Sequence, residues 1–263
     1  ATLIQRPANG LRWDVFLNVV KNKNRLMKLN DALAAWNKTQ DDEITDEDNK
    51  EASRPVVRYQ EGESINTIWA NESLGIDPVT GDEVFLDLNG RRVDSWSASN
   101  YKPMGCEDPK FEGNFGTMLN YKGFQLSAYF KYSYGGDIYN QTLVDKVENA
   151  DLMYNADKRV LNLRWDEIGV AARYKGLSRG VNGAATKASS RFIMDENTFQ
   201  MGSLSLSYRM DKTNAKYIDR WGLSSVKFAF NMEDLFYLSS VKQERGTDYP
   251  FARRFSFSLN VAF

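Results

Sequence analysis

The chain has 263 residues, with 34 Lys and Arg against 35 Asp and Glu, so its formal net charge at pH 7 is −1. That balance gives no basic surface of the kind that binds nucleic acid, and no nucleic-acid partner is expected. Histidine is absent, and Cys106 is the single cysteine. This composition excludes Ser-His-Asp and Cys-His catalysis, His-based zinc sites and an intrachain disulfide. Chemistry by a pair of carboxylates stays formally open, but no spacing singles out such a pair, and we expect a protein that is not an enzyme.

Apolar and polar residues alternate in about eight runs, and this period of two is typical of β-strands with two unlike faces. The last run is the clearest, because Phe255, Phe257, Leu259, Val261 and Phe263 alternate with small or polar residues. It is about as long as one tilted transmembrane strand, which needs roughly 9–11 residues. In chain order the runs are residues 13–19, 65–76, 83–88, 115–121, 124–134, 204–210, 226–232 and 254–263, of which 65–76 and 83–88 are weaker.

The connections between these runs alternate between short and long. The short ones are residues 6–10, 77–82, 122–123 and 211–221, and the long ones are 28–64, 89–109, 135–198 and 233–253. Because antiparallel strands alternate in direction, all short connections then lie on one side of the sheet. Outer-membrane barrels have tight periplasmic turns and large outward loops, whereas a soluble sandwich has no reason to sort its loops by side.

The polar positions of these runs carry several charged and amide side chains, which would be costly facing lipid but cost little facing water inside a barrel. The fold class predicted is therefore all-β, an antiparallel transmembrane β-barrel. The polar residues are Lys131, Arg209, Lys227, Asn231, Arg254 and Asn260.

Two features in the long connections resemble functional motifs. The acidic run Asp41–Asp48 lacks the glycine and the ligand spacing of a calcium loop, so we interpret it as a solvated loop. No cofactor is expected, and calcium has no support beyond this run. Residues 142–154 have helical periodicity and predict a short helix packed within a loop.

Several segments, in this order, resemble the SusC/RagA family of TonB-dependent outer-membrane transporters over nearly the whole chain. Each motif is weak by itself, and their common order makes the resemblance specific. The segments include Arg12-Trp-Asp14, Ser73-Leu-Gly-Ile-Asp-Pro-Val-Thr-Gly81, Pro109-Lys-Phe-Glu-Gly113, Tyr134-Gly-Gly-Asp137, Arg164-Trp165, Ser190-Arg-Phe-Ile-Met194 and Val241-Lys-Gln-Glu-Arg-Gly-Thr-Asp-Tyr-Pro250.

The resemblance implies that residues 1–263 are the C-terminal part of a barrel of about 22 strands, whose plug and N-terminal strands lie outside this sequence. Implied partners are those missing strands and plug, outer-membrane lipid, a SusD-like surface lipoprotein, and TonB acting through the missing N-terminal part. The implied function is import of glycan oligosaccharides or peptides across the outer membrane of a Gram-negative bacterium, with the C-terminus in the periplasm. Two alternatives stay open: a passive porin-type barrel and a soluble carbohydrate-binding β-sandwich.

Candidate functional residues follow from these expectations. Trp96, Tyr139 and Trp165 lie in long connections, and their rings suit stacking on a sugar or contact with a partner lipoprotein. The aromatic terminal strand resembles the signal by which the barrel-assembly machinery recognises its clients. The residues assigned to that signal are Phe255, Phe257, Leu259, Val261 and Phe263.

Overall fold

The computed structural model describes residues 2–5, 10–44, 53–151, 153, 156–176, 186–242 and 252–263. These residues form mostly β-strands with a few short helices. The strands are β1 (Thr2–Gln5), β2 (Arg12–Val20), β3 (Thr67–Ala70), β4 (Glu72–Ile76), β5 (Glu83–Leu86), β6 (Arg92–Val93), β7 (Lys102–Cys106), β8 (Phe111–Tyr121), β9 (Phe124–Tyr139), β10 (Ile193–Asp211), β11 (Ser225–Ser239) and β12 (Arg254–Ala262). The α-helices are α1 (Asp31–Ile44) and α2 (Gln141–Leu143), which continues as a π-helical turn over Val144–Glu148, and the 3₁₀ helices are Ala98–Asn100, Lys158–Leu161, Ser190–Phe192 and Lys216–Trp221.

The six long strands and the four-residue β1 form one seven-stranded sheet in the order β1-β2-β8-β9-β10-β11-β12. The pairs β1–β2, β2–β8, β8–β9, β10–β11 and β11–β12 are antiparallel. Strand neighbours in this sheet are therefore also successive among the long strands, as in a meander. The predicted strands at 13–19, 115–121, 124–134, 204–210, 226–232 and 254–263 are confirmed, and β9 to β11 are longer than predicted.

The register places the apolar residues of neighbouring strands opposite one another on one face. Phe115 of β8 pairs with Leu17 of β2 and with Phe130 of β9. The rings of Phe115 and Phe130 stack with centroids 4.7 Å apart, and that of Phe130 stacks on Phe199 of β10 at 5.7 Å. Phe199 in turn lies 5.7 Å from Phe236 of β11. One face of the sheet is thus a continuous apolar surface across its strands.

The opposite face is polar, as the sequence predicts. Lys131 pairs with Asn114, Arg209 with Lys227, and Asn260 with Lys227. Asn231 accepts a hydrogen bond from the Ser205 hydroxyl over 2.6 Å. The remaining member, Arg254, pairs with Glu233 and precedes the apolar Phe255 on β12.

The prediction that residues 65–76 and 83–88 belong to this sheet is wrong. The first run forms two short strands, β3 and β4; β3 pairs with β7, and β4 joins β5 and β6 in a separate three-stranded sheet. All lie within one connection, residues 21–110, between β2 and β8. In β5 three consecutive residues, Glu83, Val84 and Phe85, are buried, so both faces of that strand are covered. Alternation identifies a strand but does not specify its partner.

Short and long connections alternate only as far as β10, because β11 extends to Ser239 and the last two connections, residues 212–224 and 240–253, are nearly equal in length. The β8–β9 turn is Lys122-Gly123, and both residues have positive φ, 47° and 90°, as a type I′ hairpin turn requires. Residues 77–82, predicted as a connection of the main sheet, instead join β4 to β5 inside the long β2–β8 connection. The long connections are 21–110 and 140–192.

By its contacts the chain divides into two compact units. Unit 1 is Ala1–Lys21, Lys110–Gly135 and Asn197–Phe263, and unit 2 is Asn22–Pro109 and Gly136–Glu196. Unit 1 contains most of the seven-stranded sheet. Unit 2 is built from the two longest connections, and its main cluster of buried apolar residues is Leu143, Val144, Val147, Tyr174 and Phe192.

Two predictions about the connections need adjustment. The helix predicted over 142–154 is present, but it ends at Glu148. The acidic run predicted as a solvated loop is helical at its start, because α1 extends to Ile44, and Asp41 forms an ion pair with Arg58 at 2.7 Å. Residues 45–48 of that run lie outside the described residues. No helix that the structure describes combines the length and the apolar composition needed to cross a membrane.

Candidate functional site

The three aromatic residues predicted to contact a ligand or partner all lie in unit 2, partly buried. Each uses its polar atom to bond a backbone carbonyl of its own unit. Trp96 Nε1 donates to Ala188 O over 3.1 Å, Tyr139 Oη to Ser53 O over 2.9 Å, and Trp165 Nε1 to Pro78 O over 3.0 Å. These bonds orient the three rings, so any ligand would meet their carbon faces. Their contact with a ligand stays a prediction.

The surroundings of the two tryptophans differ from those of Tyr139. The ring of Trp96 packs edge-on against Tyr101 at 5.6 Å, and the ammonium of Lys187 lies 5.8 Å from the same ring. The ring of Trp165 covers Gly81, where a Cβ would lie only 2.6 Å from it. Both rings therefore help to order the loops that carry them.

Tyr139, in contrast, is the last residue of β9 and does not lie in a connection as predicted, and it lines a cavity of about 470 Å³ within unit 2. A volume of roughly 300–1,000 Å³ is usual for small-molecule sites. The wall includes apolar Val56, Val57 and Ile65 together with polar Arg54, Glu107 and Gln141. Neither Trp96 nor Trp165 is part of this lining. The structure thus assigns one of the three predicted residues to a cavity and separates it from the other two.

The polar groups of this cavity are suited to bind a polar ligand. Gln141 Oε1 is buried and accepts no hydrogen bond from the residues that the structure describes, so a ligand N–H or O–H could occupy it. Burial raises the pKa of the Glu107 carboxyl, and the charges of Asp108 and Glu196 add to the shift. Hydrogen bonds from Ser64 and Asn66 lower the pKa of Asp108, so Asp108 remains an anion beside Glu107. The arrangement offers binding groups but no nucleophile paired with a base.

A buried charge network holds unit 2 together, and sequence analysis missed it. Arg191 Nη2 donates to Glu83 Oε2 over 2.8 Å and to Glu148 Oε1 over 2.6 Å. These charges and hydrogen bonds raise the pKa of Arg191 in spite of its burial. Burial by itself would raise the pKa of Glu83, but Arg191 outweighs it and the pKa is lowered. The sequence contains one indication of this network, the Ser190–Met194 segment of the family resemblance. That segment contains Arg191 but neither of its partners, Glu83 and Glu148.

A second candidate surface is the polar face of the sheet in unit 1. A cavity of about 290 Å³ lies beside the β8–β9 turn and is lined by Arg209, Lys227 and Gln125 among others. Another, of about 420 Å³, includes Lys131 and Gln200. Within the described part of the chain, no group of three or more Cys, Asp or Glu side chains is placed to hold a metal ion.

Four of the five residues predicted as the assembly signal lie on β12, at one end of the sheet order. Phe255, Phe257, Leu259 and Val261 point to the apolar face, since they pair with Met232, Phe230, Phe228 and Val226. Phe263 follows the strand and is 92% exposed. Their role in assembly stays a prediction.

Comparison with known proteins gives consistent results for sequence and fold. No family model matches the chain. The TonB-dependent receptor P3 of Formosa agariphila is 25% identical over 291 aligned residues, which cover 95% of this chain and 27% of that protein. The TonB-dependent receptor P39 of the same organism is 26% identical over 131 residues, 49% of this chain and 12% of that protein.

Solved structures of the RagAB peptide transporter have the same fold. One aligns with a TM-score of 0.71 at 16% identity, covering the whole of this chain and 28% of that one. The structure of its open-open state gives 0.73 at 16% identity with the same coverage. The chain therefore spans about a quarter of the length of these proteins. The resemblance predicted from the sequence is confirmed.

Proposed function

Because the chain is similar in sequence to TonB-dependent receptors and has the fold of part of the RagAB transporter, we propose that residues 1–263 form the C-terminal part of an outer-membrane importer barrel. The observation that carries this proposal is the sheet with one apolar and one polar face. A membrane barrel needs this arrangement, since one side of each strand meets lipid and the other meets the pore.

The sheet edges support the view that further strands complete the barrel. β1 and β12 are the ends of the strand order among the described residues. An open edge in lipid leaves rows of unpaired N–H and C=O groups, each costing several kcal/mol. In this proposal the remaining strands and the plug come from the same polypeptide, and the C-terminus and the short connections lie in the periplasm.

The proposed activity is active import powered by TonB with a SusD-like surface lipoprotein as partner. The substrate class is oligosaccharides or peptides. The solved structures with this fold are of a peptide transporter, RagAB, and this supports peptides as the substrate class. The cavity that Tyr139 lines, with Glu107 and the buried Gln141 acceptor, supports a polar ligand of either class.

Uptake by the full-length transporter tests the proposal. Strains with and without the gene, each with and without TonB, are grown on oligosaccharide or peptide mixtures as sole nutrient. We expect growth on one class that needs both the gene and TonB, and copurification of a lipoprotein from detergent extracts. Gene-dependent growth without TonB would favour the passive porin, and a protein soluble without detergent would favour the β-sandwich.

A further inference from the structure

A row of nitrogen-bearing side chains crosses the polar face of the sheet near the β8–β9 turn. The register defines it strand by strand, since Asn120 pairs with both Arg12 and Gln125, and Lys227 pairs with both Arg209 and Asn260. On β10, the backbone N–H of Arg209 donates to Gly123 O over 2.8 Å, so Arg209 lies beside the β8–β9 turn. The donor row consists of Arg12, Asn120, Gln125, Arg209, Lys227 and Asn260.

No member of the donor row is a carboxylate. Arg12 is neutralised by Asp14, with Nε and Oδ2 2.8 Å apart. Arg209 and Lys227 form no ion pair with the residues that the structure describes. Asp211, two residues beyond Arg209, accepts hydrogen bonds from the backbone N–H groups of Thr213 and Asn214, and its charge also attracts that of Arg209. The centre of the row therefore keeps a net positive charge, because this one carboxylate faces the two cations Arg209 and Lys227.

Arg209 and Lys227 lie directly opposite each other on neighbouring strands. Like charges in this position repel each other. An anion between them would attract both cations, and these two attractions would offset the repulsion. They line a cavity of about 290 Å³ together with Asn120, Gln125 and Ser207. The Ser207 side chain is nearly buried and offers a further hydroxyl donor. Guanidinium, ammonium and amide groups are the donors that oxyanions accept from in proteins.

We infer that the donor row is a binding site for an oxyanion carried by a solute, such as a sulfate, phosphate or carboxylate group. Rings of Arg and Lys select anions in pores by the same attraction. That the bound solute is one being imported rests on the proposed function, whereas binding of the oxyanion itself does not. The transporter is then expected to prefer acidic substrates over neutral ones of equal size.

Calorimetric titration of the detergent-purified, full-length transporter with sodium sulfate tests the site, with ionic strength kept constant by sodium chloride. We expect saturable binding by the wild type. Lys227→Gln should weaken it about ten-fold or more, the effect of losing one charge-assisted hydrogen bond. Lys131→Gln is the matched control, because Lys131 lies on the same face but pairs with Asn114, outside the row. Its affinity for sulfate should equal that of the wild type.

Two results would overturn the inference. One is sulfate binding that Lys227→Gln and Lys131→Gln weaken equally or not at all. The other is no saturable binding by the wild type; a lower unfolding temperature for Lys227→Gln would then indicate that an acidic side chain of the protein pairs with Lys227. Because the readout is binding and not uptake, a failure here is distinct from a failure of the TonB-dependent growth test.

Discussion

Arg191 and Glu83 form an ion pair at 2.8 Å although 108 positions separate them in the chain. Their side chains are 7% and 1% exposed, and the second partner of Arg191, Glu148, is fully buried. The network joins the connection before β8 to the connection after β9 inside unit 2. A single arginine therefore joins its own 3₁₀ helix, Ser190–Phe192, to β5 and to the π-helical turn after α2.

Replacing Arg191 by Met should destabilise unit 2 by about 3–5 kcal/mol, because two carboxylates would remain buried without their cation. Hydrogen exchange of the 83–93 and 141–148 segments in the full-length protein measures the loss. Arg173→Met is the control, since the Arg173 side chain is exposed and contacts the ring of Tyr174, while the Arg173 carbonyl that accepts from Arg191 belongs to the backbone and is kept in the variant. Equal protection in the two variants would show that the buried pairs contribute little.

Stability of unit 2 should fall on acidification. The folded-state pKa of Glu83 is lowered because Arg191 more than offsets its burial. A lowered pKa contributes stability that is complete above the unfolded-state value, about 4.3, and is lost as pH falls through the folded-state value. Amide exchange corrected for intrinsic rates, compared at pH 6 and below pH 4, should show the loss. Glu83→Gln should be less stable at pH 6 and should depend less on pH; a pH dependence equal to the wild type would exclude Glu83 as its source.

Gly81→Ala should displace the ring of Trp165. Gly81 has φ +74° and a Cβ there would lie 2.6 Å from the ring, whereas Gly90 has φ +75° and no atom within 4 Å of its Cβ. Both substitutions strain the backbone, so their difference measures the ring contact. We expect Gly81→Ala to cost about 1–3 kcal/mol more than Gly90→Ala, as for overpacking. Hydrogen exchange over residues 77–91 provides the measurement, and equal effects would mean that the ring moves freely.

Phe257→Arg should destabilise the folded transporter by about 2–4 kcal/mol if the apolar face meets lipid. Phe257 pairs with Phe230 on the apolar face, while its neighbour Ser258 pairs with Ala229 on the polar face. Ser258→Arg is therefore the control and should cost little. Unfolding in lipid bilayers by denaturant compares the two variants, and a larger cost for Ser258→Arg would reverse the assignment of the faces.

Phe263→Ser should reduce the amount of transporter in the outer membrane if the terminal strand carries the assembly signal. Phe124 offers the control, because it is also an exposed aromatic at the end of a strand but lies on β9. The measurement is the amount of Phe263→Ser and of the control variant Phe124→Ser in outer-membrane fractions. Equal losses would indicate a general requirement for aromatic residues at strand ends.

Local pattern predicted much of unit 1. The alternation in Arg254–Ala262 and the Lys122-Gly123 turn depend on neighbouring residues only, so strands, turn and polar face follow from the sequence. The same alternation predicted main-sheet strands at residues 65–76 and 83–88, which pair elsewhere. It also gave no sign of α1, whose residues carry only a weak apolar stripe.

The sequence by itself determined the fold class, the polar and apolar faces of the long strands and the resemblance to TonB-dependent transporters. Each of these follows from short-range periodicity or from ordered motifs. Only the tertiary structure decided which strands pair in unit 2, that Arg191 bonds Glu83 and Glu148, and that Tyr139 lines a cavity apart from Trp96 and Trp165. These contacts join residues far apart in the chain, and local sequence carries no information about which distant segment will cover a given side chain.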